Sequence, residues 1–217
     1  MQALAKDVAE YPESYQYERA ERFGVSQRGI ALALKRLEIS YKKSLKHPKA
    51  NREAQAVFQD KIRSYENTGL SAVYIDESGF SDDMPRRYGY APIGKRCVAY
   101  QDWNAKGRTN VSGALIAKLL LTVCLFDTYI NTDIFYAWLT QDLLPKLTAP
   151  SVIVMDNATF HKASHIQEAI NDAGHILEFL PPYSPQLNPI EHKWAQAKAI
   201  RKQKFSSIYQ LFSSYDL

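Results

Sequence analysis

The sequence contains little cysteine and no apolar segment long enough to cross a bilayer. Its two cysteines, Cys97 and Cys124, do not have the spacing of metal ligands. The longest apolar stretch, Val111–Phe126, is interrupted by Lys118 and is too short to span a membrane comfortably. The first residues also lack the apolar segment and cleavage site of a signal peptide. We therefore expect a soluble protein of a reducing cytoplasm, with no membrane partner.

The composition allows one full domain and a small appendage, and the charge is distributed unevenly. Hydrophobic residues make up 46% of the 217 positions, which is enough for a proper core. Residues 1–70 hold thirteen Lys and Arg against nine Asp and Glu, whereas residues 71–217 hold fourteen of each. The positive excess is therefore N-terminal. It suits binding to a phosphate backbone, although a solvated helix face followed by a basic linker explains it equally well.

The first fifty residues have the pattern of short helices joined by a tight turn. Tyr15–Phe23 is one predicted helix, Gly24 and Val25 form the turn, and Ser26 caps a second helix that ends at Leu37. Such a pair is typical of a helix-turn-helix, although a helical packing module has the same pattern. The candidate DNA-binding residues of this basic region are Gln27, Arg28, Lys35, Arg36, Lys42 and Lys43.

From residue 70 onwards, short apolar runs alternate with turns and helices. The runs predict strands over 71–75, 88–100, 108–116, 119–126, 151–155 and 175–180. Helical spacing predicts helices over 132–147 and 161–173, and a last helix after Asn188. We expect an α/β fold with a mixed five-stranded sheet flanked by helices. The expected organisation is a helix-turn-helix region over 1–48, a linker helix over 49–69 and a catalytic domain over 70–217.

Three acidic residues stand where this pattern would place catalytic groups. Asp76 and Asp156 each follow an apolar run, and Glu191 lies in the first turn of the last helix. If the two strands are parallel neighbours, their carboxyl ends meet at one edge of the sheet. Three carboxylates at one place repel each other, and hard divalent cations relieve that repulsion. Mg²⁺ is the natural candidate.

Each acidic residue also has an ordinary structural explanation. Asp76 and Asp156 precede residues that are common in turns. Asn188, Pro189 and Glu191 fit the N-cap, first and third positions of a helix, which is a capping-box arrangement. Taken one at a time, these structural explanations are preferred to the catalytic one.

The motifs around the three residues change that balance. They are Val-Tyr-Ile-Asp76-Glu-Ser-Gly-Phe, Val-Met-Asp156-Asn157-Ala-Thr-Phe-His161 and Pro-Pro-Tyr-Ser-Pro-Gln-Leu-Asn188-Pro-Ile-Glu191. Together they resemble the three catalytic blocks of the DDE transposases, specifically the mariner-like enzymes of bacterial insertion sequences. Thirty-four residues separate Asp156 from Glu191, a spacing typical of that branch. The resemblance covers roughly residues 15–205.

The resemblance implies an RNase H-like fold that cuts and joins DNA. Asp76, Asp156 and Glu191 would bind two Mg²⁺ or Mn²⁺ ions, and Asn157 would orient its neighbour or a water. The partners would be the double-stranded DNA of element ends and target, bound by a homodimer in the bacterial cytoplasm. Lys198, Arg201 and Lys202 of the last helix would also contact DNA. His161 and His165 are expected to be surface or packing residues, and Glu77 should point away from Asp76.

The chain departs from the family at two points that leave alternatives open. The family usually has two N-terminal DNA-binding units, and this sequence has room for about one, so the first is expected to be missing or separately encoded. Gln186 replaces the familiar Asp of the proline-rich block. A stand-alone RNase H-like nuclease and an inactive, shortened transposase that only binds DNA therefore remain as alternatives.

Overall fold

The computed structural model describes residues 1–41, 49–81, 90–98, 107–204 and 206–213. The chain divides into two compact units, Met1–Pro48 and Lys49–Leu217. The helices of the first unit are α1 (Gln2–Glu10), α2 (Gln16–Phe23) and α3 (Gln27–Arg36). Within the described ranges, no helix is both long and apolar enough to pass through a membrane.

The predicted helix pair of the first unit is confirmed, and α1, which the sequence analysis did not predict, packs on it. Ser26 caps α3 by accepting a hydrogen bond from the Gly29 amide at 3.1 Å. Gly24 joins α2 to α3 with a φ of 61°, a left-handed conformation that glycine adopts without strain. Ile30 of α3 is buried against Leu4 and Ala20, which closes a small hydrophobic core.

The second unit begins with a helix and is built around one sheet. Its elements are α4 (Arg52–Asn67), β1 (Ser71–Ser81), β2 (Arg108–Ile116), β3 (Leu119–Phe126), α5 (Thr132–Trp138), α6 (Leu144–Lys146), β4 (Ser151–Met155), α7 (Ser164–Asp172), β5 (Ile176–Phe179), α8 (Ile190–Lys204) and α9 (Ile208–Phe212). The strand order is β3-β2-β1-β4-β5. β1 is antiparallel to β2 and parallel to β4, so the mixed five-stranded sheet is confirmed.

Helices cover both faces of this sheet. On one face, α5 and α7 pack on Val73, Ile75 and Ile153. On the other face, α8 and α9 pack on β1, β2 and β3, while α4 packs on Ala72 and Val152. Side chains alternate along a strand, so consecutive residues of β1 face these two different cores.

The predicted helix over 132–147 is interrupted. Its N-terminal cap is Asn131, which accepts a hydrogen bond from the Ile134 amide at 2.9 Å. After α5, the segment Leu139–Leu143 forms a π-helical turn that leads into α6. A wider turn of this kind re-aims the side chains that follow it.

Two strand predictions need correction. β1 does not end before Asp76 but continues to Ser81, because its antiparallel pairing with β2 extends to Ser81↔Arg108. The predicted strand over 88–100 is wrong for residues 90–98, which form turns and irregular structure. The ends of that prediction lie outside the described residues.

Candidate active site

The three predicted catalytic carboxylates lie around one pocket at the edge of the sheet. The parallel register of β1 and β4 pairs Tyr74 with Val154, so Asp76 and Asp156 each lie two residues beyond the same point. The pocket has a volume of about 400 Å³. Its lining consists of Asp76, Asp156, Asn157, Ala158, Leu180, Pro181, Pro182, Tyr183, Ser184, Pro185, Asn188 and Glu191.

Asp76 lies within β1 and is partly buried. It pairs across the sheet with Gly113, and its Oδ2 accepts a hydrogen bond from Nε1 of Trp194 at 3.0 Å. Burial, followed by the negative charges of Glu191, Glu77 and Asp156, raises the pKa of Asp76 to about 8. The site therefore concentrates negative charge at the position where β1 reaches the pocket.

Asp156 is held by the turn that follows it. Its Oδ1 accepts hydrogen bonds from the Ala158 amide and from Nδ1 of His161, both at 2.8 Å. The hydrogen bond from His161 holds the pKa of Asp156 below its usual value, against the opposing effect of burial. The two neighbouring carboxyl groups are therefore shifted in opposite directions, the pKa of Asp156 downwards and that of Asp76 upwards.

His161, expected to be a surface or packing residue, is a packing residue that also contacts Asp156. It is fully buried between Phe135 and Phe160. Burial opposes its positive charge, but hydrogen bonds to Asp156 and Glu77 outweigh that effect and raise the pKa of His161 to about 9. Its signal in the sequence was its place five residues after Asp156, where the 3₁₀ turn Thr159–Lys162 brings it back.

Glu77 faces away from Asp76, as strand alternation predicts, yet it is connected to the pocket. Its Oε1 lies 3.3 Å from Nε2 of His161. A hydrogen-bonded path therefore runs from Glu77 through His161 to Asp156. Strand alternation alone excluded Glu77 from the site, because the contact with His161 depends on a residue distant in sequence.

Glu191 lies at the start of α8 with an exposed side chain. The capping box expected here is wrong, because the side chain of Asn188 does not bind the helix. Its Nδ2 donates to the carbonyl of Ile75 at 3.3 Å, and its Oδ1 has no hydrogen-bond partner among the described residues. The backbone carbonyl of Asn188 instead accepts from the Glu191 amide at 3.2 Å.

Asn157 anchors the loop behind Asp156. Its Nδ2 donates to the carbonyl of Leu180 at 2.5 Å, which joins the end of β4 to the residue after β5. Leu180 also donates its amide to the carbonyl of Met155 at 2.9 Å. Asn157 thereby fixes the backbone on which Asp156 stands.

The donor chemistry of the pocket suits a hard divalent cation. Carboxylate oxygens are the ligands that Mg²⁺ and Mn²⁺ take in proteins, and three residues of the pocket offer them. Among the described residues, however, no three His, Cys, Asp or Glu side chains are already arranged as the ligands of one ion.

The predicted DNA-binding residues of the first unit are surface residues where they are described. Gln27, Arg28, Lys35 and Arg36 are all exposed on α3. Lys42 and Lys43 lie outside the described residues. These four exposed side chains could contact the phosphates of a DNA backbone.

The predicted cations of α8 fall into two groups. Lys198 and Lys202 are exposed, and Nζ of Lys198 lies 5.3 Å from the centre of the Phe80 ring. Arg201 is buried, and its guanidinium donates to the backbone carbonyls of Ser81 and Ser206. The DNA-contacting role expected for Arg201 is therefore corrected, because its charge is used to hold the end of β1 and the turn after α8.

Comparisons with known families match almost the whole chain. Residues 71–211 match the model described as DDE superfamily endonuclease, and residues 1–64 match a model described as transposase. A comparison with curated protein sequences found no match.

Solved structures share this fold at low sequence identity. One is a Mos1 transposase paired-end complex with the left transposon end, 17% identical with a TM-score of 0.60, and 92% of this chain is covered. A Mos1 mariner paired-end complex with Mn is 17% identical with a TM-score of 0.60 and 92% coverage. The corresponding complex with Mg is 18% identical with a TM-score of 0.61 and 91% coverage. The chain spans 64% of the length of each of these three proteins, a little under two thirds.

Proposed function

Because this chain belongs to the DDE superfamily of endonucleases, with an N-terminal part that matches a transposase family, we propose that it is an insertion-sequence transposase. It would cut DNA at element ends and join those ends to target DNA. The observation that carries the proposal is the convergence of Asp76, Asp156 and Glu191 on one pocket.

Asp76, Asp156 and Glu191 would hold two divalent cations, Mg²⁺ or Mn²⁺, whose chemistry is to activate a water and to stabilise the leaving oxygen of a phosphodiester. Burial and then the neighbouring negative charges raise the pKa of Asp76, and a bound cation would favour its ionised form against both. Related Mos1 complexes were crystallised with Mn and with Mg.

The chain's own residues would orient the acidic groups and the DNA. His161 would hold Asp156 ionised and aligned through its 2.8 Å hydrogen bond. The exposed cations of α3, and Lys198 and Lys202 of α8, would neutralise phosphates. We propose that the domains divide this work, with residues 1–48 binding DNA and the sheet domain performing the chemistry, and that the chain acts as a homodimer on DNA.

The reaction consists of two phosphoryl transfers without a covalent enzyme intermediate. In the first, water oxygen bonds to phosphorus, the bond from phosphorus to the 3′-oxygen breaks, and that oxygen takes a proton to become a free 3′-OH. In the second, this 3′-OH attacks a target phosphodiester and displaces the 3′-oxygen of the target strand. One pocket serves both steps because the bond changes are the same.

The test is cleavage and strand transfer on labelled DNA from the ends of the element that encodes the chain. The parent would be compared with Asp156→Asn and Glu191→Gln, and with the exposed controls Asp172→Asn and Glu168→Gln. We expect the parent and both controls to cut and join in Mg²⁺ or Mn²⁺. We expect the two pocket variants to bind DNA with undiminished affinity and to do neither.

The outcomes separate the proposal from its rivals. A parent that cuts without joining would be a nuclease on the same fold. A parent that binds DNA but never cuts, even in Mn²⁺, would be a DNA-binding protein whose carboxylates are not used. Either result would overturn the transposase assignment.

A further inference from the structure

α8 is attached to β1 on both sides of Glu191. Before the helix, Nδ2 of Asn188 donates to the carbonyl of Ile75 at 3.3 Å. Within the helix, Nε1 of Trp194 donates to Oδ2 of Asp76 at 3.0 Å. Glu191 and Trp194 are three residues apart within α8, so they lie on neighbouring positions of one side of the helix. Two consecutive residues of β1 are thus joined to the segment that carries Glu191.

We infer that Trp194 is a positioning residue for the Asp76 carboxylate, and that with Asn188 it sets the position of Glu191 relative to Asp76. The inference deepens the proposed function and rests on it. Trp194 is 1% exposed and is absent from the lining of the pocket, so it acts through Asp76 and not on DNA.

The strand next to Asp76 is shaped to admit the indole ring. Gly113 pairs with Asp76 across the sheet. A Cβ at Gly113 would lie 2.6 Å from Cη2 and 3.0 Å from Cζ2 of Trp194, closer than real atoms approach. The missing side chain therefore leaves the space in which the indole reaches Asp76.

A purely packing role would not need the indole nitrogen. The N–H of a buried tryptophan usually finds a hydrogen-bond acceptor, and in Trp194 that acceptor is the carboxyl group of a proposed metal ligand. The ring itself packs within a hydrophobic core beside Phe212 and Ile190. Phenylalanine would keep much of that packing and lose the hydrogen bond, so Trp194→Phe separates the two roles.

The experiment compares the full chain with Trp194→Phe and with Trp138→Phe. Trp138 is also buried, but it belongs to the core on the opposite face of the sheet, so it controls for the loss of an indole. Mn²⁺ affinity is measured by titration calorimetry without DNA, and kcat and KM are measured on end DNA. Thermal unfolding reports the stability of each variant.

Loss of an outer partner of a metal ligand typically costs about 10- to 100-fold in affinity or activity. We expect Trp194→Phe to lose about that much in Mn²⁺ affinity and in kcat, with KM for DNA nearly unchanged. We expect Trp138→Phe to lower the unfolding temperature without either change.

Gly113→Ala provides an independent way to break the hydrogen bond between Trp194 and Asp76. Its new Cβ must push the indole away from Asp76. We expect its defect to resemble that of Trp194→Phe. In Mn²⁺ affinity the double variant should be no worse than Trp194→Phe alone, since phenylalanine lacks the two ring atoms nearest the Cβ and only the Thr122 carbonyl, at 3.3 Å, remains close. Such non-additivity is the signature of two residues acting through one contact.

Each result decides the inference. If Trp194→Phe matches Trp138→Phe in Mn²⁺ affinity and kcat, the inference is wrong while the proposed function stands. If the parent binds Mn²⁺ but does not cleave, the proposed function fails, and the Mn²⁺ affinities alone decide the role of Trp194. If the parent neither binds Mn²⁺ nor cleaves, both are overturned.

Discussion

Nδ1 of His161 lies 2.8 Å from Oδ1 of Asp156, while its Nε2 lies 3.3 Å from Oε1 of Glu77. Both ring nitrogens are therefore committed to carboxylates, and a pKa of about 9 keeps the ring protonated and donating to both at neutral pH. This one buried ring connects Glu77, on the face of β1 that α5 and α7 cover, to Asp156 in the pocket.

Replacing His161 by glutamine should weaken the pocket without removing any of its acidic residues. Asp156 would lose its main hydrogen-bond donor, and we expect cleavage and Mn²⁺ affinity to fall about 10- to 100-fold. Titration calorimetry and a cleavage assay would measure the two effects. His165→Gln is the matched control, because His165 is exposed and packs on Tyr136. Equal activity of the two variants would show that His161 only fills space.

The exposed cations of α3 should bind phosphates without regard to sequence. We expect Arg28→Ala and Lys35→Ala to weaken binding to all duplexes alike, each reducing the salt slope of log Kd by about 1. Fluorescence anisotropy across a salt series would measure this. Arg63→Ala is the control, since Arg63 is exposed on α4 and pairs with Asp60 at 3.2 Å. A slope that is unchanged in the α3 variants would contradict the assignment of this face.

Asp7 should make the stability of the first unit depend on pH. A hydrogen bond from Arg22 holds its pKa below the usual value, and Arg19 adds to this. Because the folded pKa is the lower one, the stabilisation is complete above the ordinary carboxyl pKa of about 4 and is lost as pH falls through the folded value.

Asp7→Asn leaves the buried Arg19 without its counter-charge, and we expect it to cost the first unit about 3 kcal/mol at neutral pH. The difference from the parent should shrink as pH drops towards 3. Thermal unfolding followed by circular dichroism would measure it. The exposed control Asp60→Asn should stay within about 0.5 kcal/mol of the parent. A difference that is constant with pH would argue against an ionised Asp7.

The effect of replacing Phe58 on stability should show that α4 is part of the sheet domain and more than a linker. It is 7% exposed and packs with Ala72, Val152 and Leu180. We expect Phe58→Ala to destabilise the second unit by about 3–5 kcal/mol. Its neighbour Val57 is 63% exposed, so Val57→Ala should change stability by less than about 0.5 kcal/mol. Chemical denaturation would compare them, and similar curves would mean that α4 is dispensable to the fold.

The sequence by itself determined the elements whose signals are local. A continuous apolar run predicted β4, and the cap at Ser26 with the glycine at 24 predicted the helix pair. The resemblance of the three motifs to the catalytic blocks of the DDE transposases pointed to Asp76, Asp156 and Glu191, which all line the one pocket described above.

Tertiary structure decided everything that depends on distant partners. Pairing with β2 extends β1 beyond Asp76. A 3₁₀ turn places His161 within hydrogen-bond distance of Asp156. Arg201 is a surface cation by sequence pattern but is buried on backbone carbonyls, and the indole of Trp194 reaches Asp76 through the space at Gly113. Periodicity reports which face of an element is apolar, whereas these contacts depend on which residue of another element lies opposite, and that is fixed only when the chain has packed.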